Sequence, residues 1–232
     1  MMRNISVVIK KQIKDTFKNK TILIQFVLFP LMTLIFENAI EMKDMPEFFF
    51  TRLFAVMYIG MAPLTSAAAI ISEEKERNTL RVLMMANVKP AEYIIGVGIY
   101  VWSICMVGAC VMATGIPAET VPGFMGVMAI GFMISIIAGA CIGIWSKNQM
   151  AATSLVMPVM MVLSFVPMLA IFNDTVSKIS KIFYTKQIMN LLDGIILNGS
   201  DGIGRFGAGV ITVNAALLIV FFALAYHKKG LE

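Results

Sequence analysis

Residues 71–96, ISEEKERNTLRVLMMANVKPAEYIIG, are the one long run of mixed charge between two strongly apolar segments, and their reading decides the fold. Glu73, Glu74, Lys75, Glu76 and Arg77 are too polar to remain in hydrocarbon. Leu80, Leu83, Met84 and Val88 then recur at i, i+3, i+4 and i+8, the spacing of one helical face. Asn78 or Thr79 can cap that helix by accepting a hydrogen bond from an orphan backbone N–H. Pro90 disfavours helical geometry at Lys89 and so ends it. The stretch reads as a short amphipathic helix on a membrane surface, joining two spans.

Composition on either side agrees. Of the 232 residues 59% are apolar and 14% charged, with a mean hydropathy of +0.84, whereas soluble domains run at roughly 45–50% and about 25%. The chain is therefore an all-α integral membrane protein, read as a single transmembrane domain over 1–232. Its net charge of +5 sits in segments flanking the spans, where positive-inside topology explains it, so no nucleic-acid partner is expected. Cys105, Cys110 and Cys141 fall inside apolar runs without CxxC spacing and read as reduced packing residues. His227 is the only histidine, so neither a metal site nor a catalytic centre is expected.

Upstream of the charged stretch, 53–71 forms one span containing Pro63, and 21–37 another, with Pro30 inside it as a candidate kink. Glu37, Glu41, Asp44 and Glu47 between them face only Lys43 and Arg52, an acidic loop suited to the outside. In residues 1–20, Ile5, Val8, Ile9, Ile13 and Phe17 share a helical face, flanked or opposed by Lys10, Lys11, Lys14 and Lys18. That pattern suits a helix in the membrane interface and not a signal peptide, since no small-x-small cleavage site follows it.

Downstream, spans are expected at about 91–115, 123–145, 150–172 and 207–226, about six in all. Gly131, Ser135, Gly139 and Gly143 put a small residue at every fourth position of the fourth span. Such a seam admits another helix closely, from the same bundle or from a second subunit. The fifth span carries Met157, Met160, Met161 and Met168 and is interrupted by Pro158 and Pro167; its methionines suit lipid-facing or core packing, or a substrate-facing lining. Residues 173–206 never reach the ~20 apolar residues a span needs. They read as two short amphipathic helices, either lying on the outer interface or dipping into the bundle, with Ile179, Ile182 and Phe183 as candidates for an outer gate.

With both termini inside, the cytoplasmic segments hold 13 Lys/Arg and the outer ones six. The bias has the right sign for that orientation. The exception is 173–206, which carries four of the six outer basic residues, Lys178, Lys181 and Lys186 among them. Gly202 to Gly207 match G-x-G-x-x-G, but a span and no βαβ unit follows, and no G-x-x-x-x-G-K-[ST] occurs to cradle ATP phosphates. Asn173-Asp174-Thr175 and Asn198-Gly199-Ser200 are formal glycosylation sequons. Charged groups are nearly absent from the spans, where Gln25 and Asn214 are the polar exceptions. A carrier coupled to ions normally keeps an ionisable residue at mid-membrane, so the energy is expected from elsewhere.

The charged stretch also resembles a family. Type-2 ATP-binding-cassette (ABC) exporter permeases carry E-K-E-R-G-T-L-E-x-L-x-x-x-P-V, a short spacer, then E-I-x-x-G-K; Glu74, Lys75, Glu76, Arg77, Thr79, Leu80, Leu83, Val88, Glu92 and Gly96 match. Asn78 stands where glycine is usual, Arg81 where glutamate, Asn87 where proline and Val97 where lysine is common. The ending from Tyr226 through Lys228 and Lys229 to Gly230-Leu231-Glu232 is similar to the family's as well.

The resemblance implies that 72–90 is a coupling segment docking into a separate ATPase subunit, which holds the ATP and Mg, while this chain binds no cofactor and is no enzyme itself. It also implies a second permease subunit, identical or related, external helices before the last span, and a place in the plasma membrane. On that reading Glu73, Glu74, Lys75, Glu76 and Arg77 set electrostatic register with the ATPase, and Leu80, Leu83 and Met84 anchor it. Two rivals are a secondary carrier or channel, marked by transport without ATP, and a non-transporting membrane immunity or sensor protein, marked by indifference to a neighbouring ATPase.

Overall fold

In hydrocarbon every backbone N–H and C=O must be satisfied within the chain, which leaves helices as the means of crossing for these apolar runs. The structure, a computed structural model, describes residues 2–16, 20–40, 46–198 and 204–229. Phe17 and Lys18, the acidic-loop residues Glu41, Lys43 and Asp44, Gly199-Ser200 of the second sequon, Gly202-Ile203 and the final Gly-Leu-Glu lie outside the described residues. The helices are α1 (Met2–Thr16), α2 (Lys20–Ala39), α3 (Phe49–Glu76), α4 (Thr79–Met85), α5 (Pro90–Met112), α6 (Val121–Trp145), α7 (Gln149–Leu169), α8 (Asp174–Ser180), α9 (Tyr184–Asn198) and α10 (Arg205–Lys229). Among the described residues there is no strand. Six helices, α2, α3, α5, α6, α7 and α10, are long and apolar enough to cross a membrane.

The axis of the bundle is α3, buried along most of its length and packed against α6, α7, α2 and α5. The Thr65 hydroxyl donates to Gln25 Oε1 (2.8 Å) and the Thr51 N–H to Glu37 Oε2 (2.8 Å), so α2 and α3 run antiparallel. Gly131 lies beside Ile59 and Gly143 beside Ile71, so α6 runs parallel to α3. The ring stack of Trp145 with Phe221 and the Cys141 thiol on the Leu218 carbonyl together set α10 parallel to α6. As a result α1, α4, the turn from α6 to α7 and the end of α10 gather at one face, and α8 lies toward the other.

The small-residue seam of α6 is spent inside the chain. A methyl group on Gly139 would overlap the Leu64 carbonyl oxygen, and one on Gly143 would stand 2.8 Å from Ile71 Cβ. The seam seats α6 on α3, so the fourth span offers no such groove to a second subunit.

Prolines inside α2 and α3 leave two carbonyls without their helical N–H, four residues upstream of each. Phe26, below Pro30, receives the Tyr58 hydroxyl (3.1 Å), and Ile59, below Pro63, receives the Ser135 hydroxyl (2.6 Å). Both side chains are buried, and each repairs its backbone gap from a neighbouring helix. The fifth span was expected to break at Pro158 and Pro167; α7 instead continues through both.

Of the two placements left open for 173–206, the structure shows the dip into the bundle for α9. Tyr184 reaches the Ser135 hydroxyl in the middle of α6 (2.7 Å), Ile188 packs at Gly131, and Asn214 in α10 donates to the Ile182 carbonyl (3.0 Å). Arg52, near the start of α3, pairs with Asp193 farther along α9. The helix therefore climbs from mid-bundle toward the face opposite α4.

The N-terminal helix, read as interfacial, also packs on the protein. Its buried face is Val8, Gln12 and Thr16, while Ile13 is exposed, because α1 lies on α5 and on the end of α3 and not on lipid alone.

Candidate functional site

The charged stretch folds into a junction between the ends of α3 and α5, with α4 held between two left-handed asparagines. The first is Asn78 (φ 56°), whose N–H returns to the Lys75 carbonyl (3.1 Å). Thr79 then turns its hydroxyl to the Glu74 carbonyl (3.2 Å). Neither residue caps α4 through its side chain; they close α3 instead. The second is Asn87 (φ 67°): its N–H bonds the Met84 carbonyl (3.0 Å) and the Val88 N–H bonds the Leu83 carbonyl (3.1 Å). This paired arrangement is a Schellman ending, and asparagine is the usual substitute for glycine in it. Pro90 opens α5 as its first residue, and the Glu92 carboxylate accepts the Lys89 N–H (3.0 Å).

The charged residues reach inward more than outward. Glu74 is only 6% exposed and accepts Lys11 (2.6 Å) and Gln12 from α1. Glu92, equally buried, accepts the Asn4 side-chain amide (2.9 Å), which also donates to the Asn87 carbonyl (3.2 Å). A methyl group on Gly96 would meet Val8 at 2.8 Å, so the glycine is what lets α1 approach α5. Glu74, Glu92 and Gly96 thus form the seat of α1.

Lys75 and Glu76 clamp the other side. The Lys75 ammonium donates to the Ile144 carbonyl (2.7 Å) in the last turn of α6, and Glu76 accepts the Gln149 N–H (2.8 Å) at the first residue of α7. A cation at a helix C-terminus and a carboxylate at an N-terminus both oppose the helix dipoles favourably. Glu73 and Arg77 pair along α3 (2.9 Å), with Arg77 largely in solvent.

The apolar side is turned the same way. Leu80 is 1% exposed and Val88 is buried, while Leu83 and Met84 are half-buried against the core. What stands outward on α4 is Arg81, Val82 (62% exposed) and Met85 (79% exposed). The structure brings every expected junction residue together, but it places most of them as internal ties, leaving Arg77 in solvent and the outward surface of α4 to Arg81, Val82 and Met85. Asn4 and Gln12 escaped the sequence reading, and Lys11 was read only as a flanking charge. Their signal was the run Asn4, Val8, Gln12 and Thr16 at four-residue spacing, a mixed stripe hidden among lysines.

Away from α4, inside the bundle, Ile179 and Ile182 are exposed and Phe183 is half-buried on the core. They gather around the turn from α8 to α9, the deepest point of the dip.

No curated protein matches this chain. Six spanning helices and the charged junction between the second and third do have a counterpart: the family model described as ABC-2 family transporter protein matches residues 2–227, and the chain belongs to that family, as a membrane-spanning permease subunit.

Proposed function

We propose that this chain is the membrane subunit of an exporter that moves its substrate outward on ATP hydrolysed by a separate ABC ATPase, and that α4 is where the two meet. The observation that carries the reading is the shape of α4. It is a seven-residue helix pinned at both ends, with Leu80 locked into the bundle and Val82 and Met85 projecting from it. Such a knob suits a partner's cleft, because buried apolar groups hold a contact while the surrounding charges set register. Pressure on α4 passes through Glu74 and Glu92 to α1, and through Lys75 and Glu76 to α6 and α7.

In the same reading both termini and α4 are cytoplasmic, in the plasma membrane, and a second permease subunit completes the path. The basic side of the bundle supports that orientation. ATP and Mg belong to the ATPase.

Co-purification with the ATPase is the test. Val82→Asp and Met85→Asp put a charge into the contact without touching the fold, and recovery of the ATPase should fall by about tenfold or more. Arg81→Ala should cost less and act mainly on association rate. Undiminished recovery with both aspartate variants, in correctly inserted protein, means α4 is not the docking element.

A further inference from the structure

The face of α9 that the bundle leaves open carries Lys186, Asn190 and Asp193 at i, i+4 and i+7. This polar stripe begins deep. Lys186 is one turn from the Ile182 carbonyl, which Asn214 holds at the middle of α10, and two residues from Tyr184, which reaches the middle of α6. An ammonium facing acyl chains at that depth is strongly disfavoured, so the open side of the stripe faces water or a bound group.

Lys186 also lacks a counter-ion of its own. The carboxylate of Asp193 is engaged by Arg52, itself buried, and Lys186 makes no hydrogen bond or ion pair among the described residues. The surroundings are basic as well, since Lys178 and Lys181 lie on the adjoining helix and turn. The apolar component is next to it: Ile179 and Ile182 are both more than half exposed.

We propose that the open face of α9 binds an anionic amphiphile, its phosphate or carboxylate on Lys186 and its chain against Ile182 and Ile179. A cation placed beside exposed aliphatic groups accepts that combination and rejects a cationic amphiphile of the same chain. The ligand comes either from the lipid of the surrounding leaflet or as a free molecule. The site stands on α9 and the turn from α8 that precedes it, with no residue of α4, so its test is independent of ATPase docking.

The full chain, with Cys105, Cys110 and Cys141 replaced by serine and Leu197→Cys carrying an environment-sensitive dye, is placed in phosphatidylcholine nanodiscs. Dodecyl phosphate should give a saturable response and dodecyltrimethylammonium none. Lys186→Gln should weaken dodecyl phosphate by about tenfold or more, as expected for the loss of one charge-assisted bond. Lys186→Arg should retain binding, and Lys147→Gln, in the turn from α6 to α7 at the other face, should leave it unchanged.

Phosphatidylglycerol discs separate the sources. Retention of that lipid by the wild type but not by Lys186→Gln, with dodecyl phosphate blocked, assigns the site to lipid. Undiminished dodecyl phosphate binding there assigns it to a free amphiphile. Equal responses to the two detergents, or a Lys186→Gln variant that binds like wild type, overturn the proposal and leave Lys186 as a lysine that merely reaches for water.

Discussion

Two asparagines set the geometry of the junction, and each stands where the resembling motif has a different residue. Asn78 at φ 56° occupies the conformation that glycine takes without strain. The sequence suggested an N-cap there, because asparagine is favoured at that position. Asparagine is also the best non-glycine for left-handed backbone, and α3 runs on to Glu76, so only Arg77 and Asn78 separate it from α4 and closing α3 takes precedence. Asn78→Gly should therefore be neutral or stabilising by up to about 1 kcal/mol. Asn87→Pro should do the opposite: it locks φ near −65° where the backbone sits at +67° and deletes the bond to Met84, a loss of about 3 kcal/mol. Apparent Tm in detergent reads both, and a proline variant as stable as wild type would show the turn is not held as described. Two tyrosines make a second contrast. Tyr58→Phe strands the Phe26 carbonyl beneath Pro30 and should cost about 1–3 kcal/mol. Tyr93 carries a buried hydroxyl with no partner among the described residues, so Tyr93→Phe should be neutral or gain about 1 kcal/mol. Equal losses in the two would contradict the repair of the proline gap.

At the scale of elements, periodicity revealed which helices exist, while their partners came from residues far apart in sequence. The seam Gly131, Ser135, Gly139 and Gly143 was legible as a close-packing stripe, yet nothing within it distinguished α3 from a second subunit. That choice rests on Ile59, Leu64 and Ala68, whose backbone and side chains fill the groove. Gly139→Val would force α3 and α6 apart against the Leu64 backbone and should cost about 1–3 kcal/mol or more. Gly126→Val on the same helix points into open space and serves as the control; it should leave apparent Tm unchanged. If the two fall together, tight packing of the seam is not what matters. The dip of α9 was half legible in the same way. Its length ruled out a span, but the choice between surface and bundle needed Ser135 and Asn214 as partners. α1 was read from its apolar stripe, and the polar ties of Asn4, Lys11 and Gln12 turn the helix so that Val8 of that stripe faces the protein while Ile13 stays exposed.

For the whole molecule, the arrangement of ends makes a prediction that the helices individually do not. α1, α4, the turn from α6 to α7 and the end of α10 lie at one face, and the segments reaching that face hold 12 of the 17 Lys/Arg among the described residues. On the proposed orientation, which positive-inside bias supports, that face is the cytoplasmic one. Of the five remaining basic residues among the described ones, Arg52 pairs with Asp193 and Lys186 stands on the open stripe of α9 where the anionic ligand is proposed, so two of them have a reason for their place besides topology. Labelling of single cysteines by an impermeant reagent, with Cys105, Cys110 and Cys141 replaced by serine, tests the arrangement in intact cells. Cysteines at 82 and 228 should be shielded until the membrane is opened. A cysteine at 190, on the open stripe of α9, should be labelled from outside, since that face cannot be hydrocarbon-bound with a lysine one turn below it. Labelling at 82 or 228 from outside would invert the molecule and remove α4 from reach of a cytoplasmic ATPase. Shielding at 190 with the other two also shielded would keep the orientation but close the α9 stripe to water, and the dip would then be a packed plug and not an open path.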